Sequence, residues 1–311
     1  MYKSRNILNP ESLSLLLSIE REGSFAGAAR AEGIVPSALT YRVRQIEEAL
    51  DVLLFDRSSR NAKPTPAGLA LLREAERLLV ETDGVANRIK RIATGWESQF
   101  TIAIDGVLNS GPLLELCEQF FLLKAPTRLR LKKEVLSGTL ETLVSGQADL
   151  ALGVGGDHNI AHLLTRPIGE MRFPFVVAKT HPLASAPEPL GDDVLRQTRA
   201  IAVADSVKQG PSLTFGLLQG QEVFTVATLH DKLQAQLHGL GAGFLPEHMV
   251  KPYLETGQLV EKTVDRERGN VRLHYAWRAP VGAGNGRALQ WWLSQLQSER
   301  TLSALLSVSR S

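Results

Sequence analysis

The sequence predicts a multidomain α/β protein with a winged helix-turn-helix at its N-terminus, one long linking helix, and a larger C-terminal α/β region. Three observations carry this. Between residues 23 and 57 two short amphipathic segments are separated by Gly33 and Pro36, and a basic loop comes after them. From Pro66 to Thr94 apolar residues recur every seven positions, with Gly84 the one helix-weakening residue beyond the first turn. From Phe100 onward, strand-like runs alternate with helical ones.

The first short helix, residues 25–31, is built from small residues (Ala26, Gly27, Ala28, Ala29), so another helix can approach its backbone. Gly33 ends it, because glycine tolerates the left-handed conformation that closes a helix. Pro36 suits the first turn of the next helix, where its missing N–H leaves nothing unsatisfied. In that second helix Leu39, Val43, Ile46 and Leu50 recur at three and four residues, a face to bury. The opposite face carries Ser37, Thr40, Tyr41 and Arg44, the composition expected of a helix whose N-terminal half lies in the DNA major groove. A helical hairpin with a polar outer face is the blander reading of these residues. The adjoining segment favours DNA. Residues 53–57 read as a strand entry, the next loop carries Arg57, Arg60 and Lys63, and Thr65 and Pro66 suit the cap and first position of a new helix. A basic loop beside a reading helix is a wing, placed for phosphates.

Gly23-Ser24-Phe25, Ala28-Ala29, Pro36-Ser37-Ala38-Leu39-Thr40, Ile46-Glu47, Leu54-Phe55-Asp56-Arg57 and Thr65-Pro66-Ala67-Gly68 together resemble the N-terminal signature of LysR-type transcriptional regulators. Three positions depart from it. Pro36 stands where the family commonly has a polar residue, Thr40 replaces the usual serine, and Tyr41 sits where a charged or polar residue is frequent. The resemblance implies sequence-specific binding of double-stranded DNA, with Pro36, Ser37, Thr40, Tyr41, Arg44, Arg57, Arg60 and Lys63 at the interface. It does not carry over which bases are read. It further implies a regulator rather than an enzyme, without a cofactor, and admits RNA polymerase as a partner.

At 311 residues the chain has room for two or three cores. Its net charge of +2 means that any DNA footprint is local: residues 36–66 hold five Arg/Lys (42, 44, 57, 60, 63) against four Asp/Glu (47, 48, 51, 56). The single cysteine, Cys117, excludes an internal disulfide and a cysteine-based zinc cluster, and its neighbours Leu113, Leu116 and Phe120 suit a buried thiol. With no apolar N-terminal leader and no run of ~18 apolar residues, the expectation is a cytoplasmic protein without a membrane span.

In the linking helix Leu71, Leu78, Val85 and Ile92 are seven apart, and Leu72, Leu79, Ala86 and Ala93 form the adjacent row, with Ile89 completing the face. Such a heptad signals a helix paired along its length. The dimerisation residues expected are therefore Leu71, Leu72, Leu78, Leu79, Val85, Ile89 and Ile92. Two-fold pairing would present two winged helices to a near-palindromic site. Periodicity reaches only the homodimer; a homotetramer is what the family commonly forms.

Beyond Gly95, strands at residues 100–104, 129–135, 149–154, 173–178, 200–203, 223–227, 242–245 and 273–277 alternate with helices at 112–122, 139–145, 230–238 and 287–296. Alternation implies parallel sheets covered on both faces. Two such α/β lobes resemble the effector domain of the same family, which is similar to type II periplasmic binding proteins. The domains expected are residues 1–66 (winged helix), 67–95 (linker), 98–169 with 270–311 (first lobe) and 170–269 (second lobe). The family parallel places the two crossings between lobes near residues 166–172 and 267–272.

Ligands of open α/β sheets bind beyond the carboxyl ends of the strands. That rule nominates Leu108, Asn109, Ser110, Leu136, Ser137 and Gly138 in the first lobe. In the second it nominates Asp205, Ser206, Val207, Lys208, Thr228, Leu229 and Pro246. Ser110 and Ser137 lie before helices, where a hydroxyl and free N–H groups suit an anionic oxygen. A small organic acid is the expected effector, with Lys208 either its counter-charge or a solvated loop lysine.

Other chemistry is set aside. Gly239, Gly241 and Gly243 follow a helix and precede a strand, the reverse of a dinucleotide loop. No Gly-x-Ser-x-Gly elbow exists, and none of the seven histidines belongs to the H-E-x-x-H pattern of a zinc helix. The rival reading is a small-molecule-binding enzyme or transport-related binding protein with a helical N-terminal appendage. Salt-sensitive binding to double-stranded DNA separates the two.

Overall fold

The structure, a computed structural model, describes residues 6–56, 62–156, 160–207, 214–265, 270–279 and 284–307. The chain divides into two compact units, Met1–Ile89 and Lys90–Ser311.

The first unit runs α1 (Pro10–Glu22), α2 (Phe25–Ala31), α3 (Pro36–Leu50), β1 (Phe55–Asp56), β2 (Lys63–Pro64) and the start of α4 (Pro66–Thr94). The sequence reading passes over α1, although Asn9 caps it by accepting the Ser12 N–H and Pro10 opens it. Ala28 and Ala29 are fully buried against Leu16, Ile19, Leu39, Val43 and Ile46, as the small-residue helix requires. Gly33 takes φ 67°, and the Ile34 N–H returns to the Ala29 carbonyl at 2.9 Å.

A buried carboxylate joins α3 to the wing. Glu47 is 6% exposed, and its Oε1 accepts the N–H groups of Leu54 at 2.8 Å and Phe55 at 3.3 Å. Thr65 caps α4 by accepting the Gly68 N–H at 3.0 Å, and its hydroxyl donates to the Leu53 carbonyl at 2.7 Å.

The linker helix changes environment along its length. Leu72 is buried and Leu71 packs against the same winged-helix core. These two residues, which the heptad assigns to a seam between chains, serve the chain's own core instead. The first turns of α4 must cover Phe55 and Leu16, and periodicity cannot tell which partner a buried face meets. Further along, Leu78, Val85, Ile89 and Ile92 are all exposed.

The second unit continues with β3 (Gln99–Asp105), α5 (Ser110–Leu122), β4 (Arg128–Glu134), α6 (Ser137–Val144), β5 (Leu150–Gly155), β6 (Leu163–Met171) and β7 (Phe175–Ala178). After these come α7 (Asp192–Arg196), β8 (Ala200–Val203), β9 (Val223–Val226), α8 (Leu229–Leu237), β10 (Gly243–Phe244), α9 (Glu247–Glu255) and β11 (Leu259–Lys262). The described chain closes with β12 (Val271–Arg278), α10 (Arg287–Gln295) and α11 (Glu299–Leu306), the last of which the sequence reading does not anticipate.

The first lobe is a five-stranded sheet in the order β4-β3-β5-β12-β6. Only β4, β3 and β5 run parallel; β12 is antiparallel to both of its neighbours. The all-parallel expectation fails because β6 leaves the lobe and β12 returns to it, and strands that leave and return side by side run in opposite senses. Their pairing extends from Leu163 opposite Arg278 to Met171 opposite Val271. The outward crossing therefore starts at Arg172 rather than near Arg166, and Arg272 belongs to β12. Residues 266–269 of the return lie outside the described residues.

In the second lobe β7 is antiparallel to β10 and β11, while β8 and β9 are parallel. Trp292 of α10 stacks on Phe100 of β3 at 6.5 Å between ring centroids. Glu97, itself buried, accepts the Ala288 and Leu289 N–H groups and so places a negative charge at the N-terminus of α10. Among the described residues no helix is long and apolar enough to cross a membrane.

Two glycines of α4 make opposite predictions. A Cβ at Gly68 would stand 2.0 Å from the Leu54 carbonyl oxygen, whereas at Gly84 it meets nothing within 4 Å among the described residues. Gly84→Ala should raise stability by about 0.5–1 kcal/mol through the lower backbone entropy of the unfolded chain. Gly68→Ala should lower it, because α4 must lift off the wing. Urea midpoints of the two variants should move in opposite directions.

Candidate nucleic-acid interface and ligand cavity

The outward face of α3 is polar and open. Pro36, Ser37, Tyr41 and Arg44 are exposed and Thr40 is half-buried. The Thr40 hydroxyl donates to the Pro36 carbonyl at 2.9 Å, which leaves its oxygen as an acceptor. Gln45 donates from Nε2 to the Tyr41 phenol oxygen at 3.0 Å. Gln45 therefore belongs to this face although the sequence reading omits it; its signal is the four-residue spacing from Tyr41. Arg42 points elsewhere, paired with Glu11 of α1. Lys63 is exposed on β2, while Arg57 and Arg60 lie outside the described residues.

Within the second unit a cavity of about 1010 Å³ lies between the two lobes. Of the residues nominated from sheet topology, Leu136, Ser137, Val207 and Leu229 line it. The others do different work. Leu108 is buried in the core of the first lobe. Asn109 caps α5 and donates from Nδ2 to the Ser307 carbonyl at 3.0 Å, and Ser110 is the exposed first residue of that helix. Thr228 and Pro246 are the N-cap residues of α8 and α9. Strand ends locate a loop, but not the direction in which each side chain leaves it. Lys208 lies outside the described residues.

Gly138, Asp205 and Ser206 form the seam between lobes. The Ser206 hydroxyl donates to Glu134 Oε2 at 2.6 Å and accepts the Val135 N–H at 2.9 Å, and the Ser206 N–H reaches the Val135 carbonyl at 3.2 Å. Gly138 admits this approach, since a Cβ there would stand 2.0 Å from Ser206 Oγ. Asp205 accepts the Val207 N–H at 3.0 Å and so sets the loop that carries Val207 to the cavity.

The sequence reading gave no role to three charged residues on the cavity wall, Asp105, Glu141 and Lys232. Asp105 ends β3 and is 3% exposed. It accepts the N–H groups of Val107 at 2.9 Å and Leu136 at 2.8 Å, and the Thr139 hydroxyl at 3.1 Å. Leu136 is held at φ 55°, a conformation costly for a branched side chain, so Asp105 is the post to which a strained cavity residue is tied. Burial pushes the Asp105 carboxyl up to about 7, against its three hydrogen bonds, and nearby Asp205 pushes it the same way. Lys232, on α8, is 7% exposed. Phe244, Leu140 and Val144 supply much of the apolar wall.

A family model for the LysR substrate binding domain matches residues 93–300, and one for the bacterial regulatory helix-turn-helix protein, lysR family, matches residues 10–69. The chain is 35% identical over 291 residues to the probable HTH-type transcriptional regulator YhaJ of Escherichia coli strain K12, covering 93% of this chain and 96% of that protein. It is 31% identical over 298 residues to the uncharacterized HTH-type transcriptional regulator YeeY of the same strain, with 96% of each covered. Among solved structures, CbnR, a LysR family transcriptional regulator, is similar in fold at 16% identity, with a TM-score of 0.59 over 94% of this chain and 99% of that one.

Asp105 makes stability depend on pH with a definite sign. Its carboxyl sits at 3.8 in the unfolded chain and about 7 in the folded one, so the folded state binds the proton more tightly. Its unfavourable contribution is absent below pH 3.8 and grows as pH rises toward 7. Asp105→Asn should therefore flatten the decline of the urea midpoint across that window. An unchanged slope would mean that Asp105 ionises freely in the fold.

Proposed function

The chain belongs to the LysR family of DNA-binding transcriptional regulators, and on that premise we propose how it acts. It pairs as a homodimer, reads a near-palindromic operator through two copies of α3, and is switched by a small organic acid between its C-terminal lobes. The observation that carries the sensing half is the largely apolar cavity beyond the carboxyl ends of β3, β4 and β8, the place where α/β sheets bind ligands.

Ser37, Thr40 and Tyr41, with Gln45 behind them, meet base edges. Arg44 and Lys63 hold phosphates, and Arg57 and Arg60 are assigned the same role. Leu78, Leu79, Val85, Ile89 and Ile92 form the seam between paired linker helices. An exposed apolar row on one helix is what a second helix would cover. Tetramers and contact with RNA polymerase are further assemblies that family membership admits. The cation placed for an acidic effector is Lys232, where the sequence reading names Lys208.

Purified protein incubated with genomic fragments, followed by sequencing of those retained, should recover a common site with two-fold symmetry; fragments retained without any shared sequence would sink this reading. Tyr41→Ala should change which sequences bind, since a good base contact is worth about 1–3 kcal/mol of discrimination. Lys63→Ala should weaken all sequences alike and lower the salt slope by about one.

Val85→Asp would set a carboxylate in the helix seam. Sedimentation should then show monomer, with operator affinity lost although the reading helix is untouched. A Val85→Asp protein that sediments as an unchanged dimer would move the contact elsewhere.

A further inference from the structure

The charged groups of the cavity are sorted by lobe. The first lobe contributes Asp105 and Glu141, and the second contributes Lys232, the one cation among the described residues of the lining. One turn further along α8, Gln236 is fully buried, and neither its amide nitrogen nor its amide oxygen finds a hydrogen-bond partner among the described residues. Both side-chain nitrogens lie on the same side of Gly243. A Cβ built on Gly243 would stand 3.1 Å from Gln236 Nε2, 3.3 Å from Lys232 Nζ and 3.4 Å from the Ile201 carbonyl oxygen. A side chain at 243 would press on both groups, so glycine leaves them room.

A buried amide without partners forfeits its hydration and gains nothing in return, so an ordinary core would carry leucine there. The rest of the wall is apolar, with Leu136, Leu140, Val144, Val207 and Phe244 facing the same space. At about 1010 Å³ the cavity lies at the upper end of the range for small-molecule sites. A ligand bearing a second anionic group would find no second cation among the described residues of the lining.

We propose that the ligand of this cavity is a monoanion with an extended apolar body, its anionic oxygens held by Lys232 with the amide of Gln236 beside it. The inference rests on the reading of the cavity as the effector site. It narrows the ligand to one acid group and a ring or branched chain, and it disfavours dicarboxylates, sugar phosphates and neutral compounds. Lys232 supplies the counter-charge and Gln236 a neutral donor, and the described first-lobe wall offers no cation for a second charge.

The test is calorimetric titration of the full-length protein with phenylacetate, 3-phenylpropionate and 4-phenylbutyrate, their neutral amides, and glutarate. At least one arylalkanoate should bind about tenfold or more tightly than both its amide and glutarate. Lys232→Met should erase most of that preference for acid over amide. Gln236→Leu should weaken the acid several-fold while leaving thermal stability equal or higher, because an orphaned amide is replaced by an apolar group of similar size. That pairing of effects separates a ligand contact from a packing role, and it stands even if Lys232→Met fails to fold.

The inference falls if no arylalkanoate binds at millimolar concentration, if glutarate or an amide binds better, or if both variants keep the wild-type preference. Retention of genomic fragments by the same wild-type preparation is read in parallel. Site-specific retention together with any of those failures overturns the ligand class alone, whereas its loss counts against the regulatory reading.

Discussion

Glu47 lies on the inner side of the reading helix, and its carboxylate takes the N–H groups of Leu54 and Phe55 where the chain turns into the wing. The reading face and the wing thus keep one register through a buried charge that backbone donors satisfy. The second unit repeats the device. Asp105 takes the N–H groups of Val107 and Leu136, two residues that line the cavity. Glu134 receives the Ser206 hydroxyl across the seam between lobes, and Glu97 holds the start of the closing helix. In each case a carboxylate on or beside a regular element fixes a segment that has few backbone partners of its own. A neutral apolar side chain could fill the space, but it would leave those donors unpaired in the interior.

The circumference of a helix limits how many tasks it can serve. On α3 the buried Leu39, Val43 and Ile46 consume one side, which leaves Ser37, Tyr41 and Arg44 exposed on the other. On α4 the division is along the axis. Leu72 and Ala75 belong to the winged-helix core, and the row from Leu78 to Ile92 stays uncovered within the single chain. An apolar row that continues past its own core is unfavourable in water at about 25 cal/mol per Å². Pairing two such helices removes that cost and fixes the distance between two reading faces.

The cavity joins strain to selectivity. Leu136 would relax from its positive φ if it were free to do so, and Asp105 and the helix after Leu136 hold the residue in place. The Ser206 seam and the Arg172 contacts to Glu247 and Glu261 add polar ties to the apolar packing of Leu229 and Phe244 against the first-lobe core. Polar seams are directional and exchange readily with water, so they suit lobes that shift when a ligand enters.

Features that depend on near neighbours along the chain are legible in the residues themselves. The breaks at Gly33 and Pro36, the cap at Thr65, the bounds of the linker helix and the apolar rows of α3 and α4 all arise from residues within a turn or two of one another. The same local signals, read as a signature, are enough for the family. Features that depend on partners distant in sequence emerge only when the chain is folded. β12 lies antiparallel between β5 and β6 because a returning strand's direction is fixed by the path between lobes. Asn109 goes to the C-terminal helix, and Leu71 and Leu72 go to their own core, because spacing marks a buried face without naming its partner. Lys232 and Gln236 of α8 come beside Gly243, and Lys232 shares the cavity wall with Asp105 of the other lobe, although nothing in the local sequence marks these residues as neighbours. A helix or a cap is a property of a short segment, whereas a cavity belongs to the whole path of the chain.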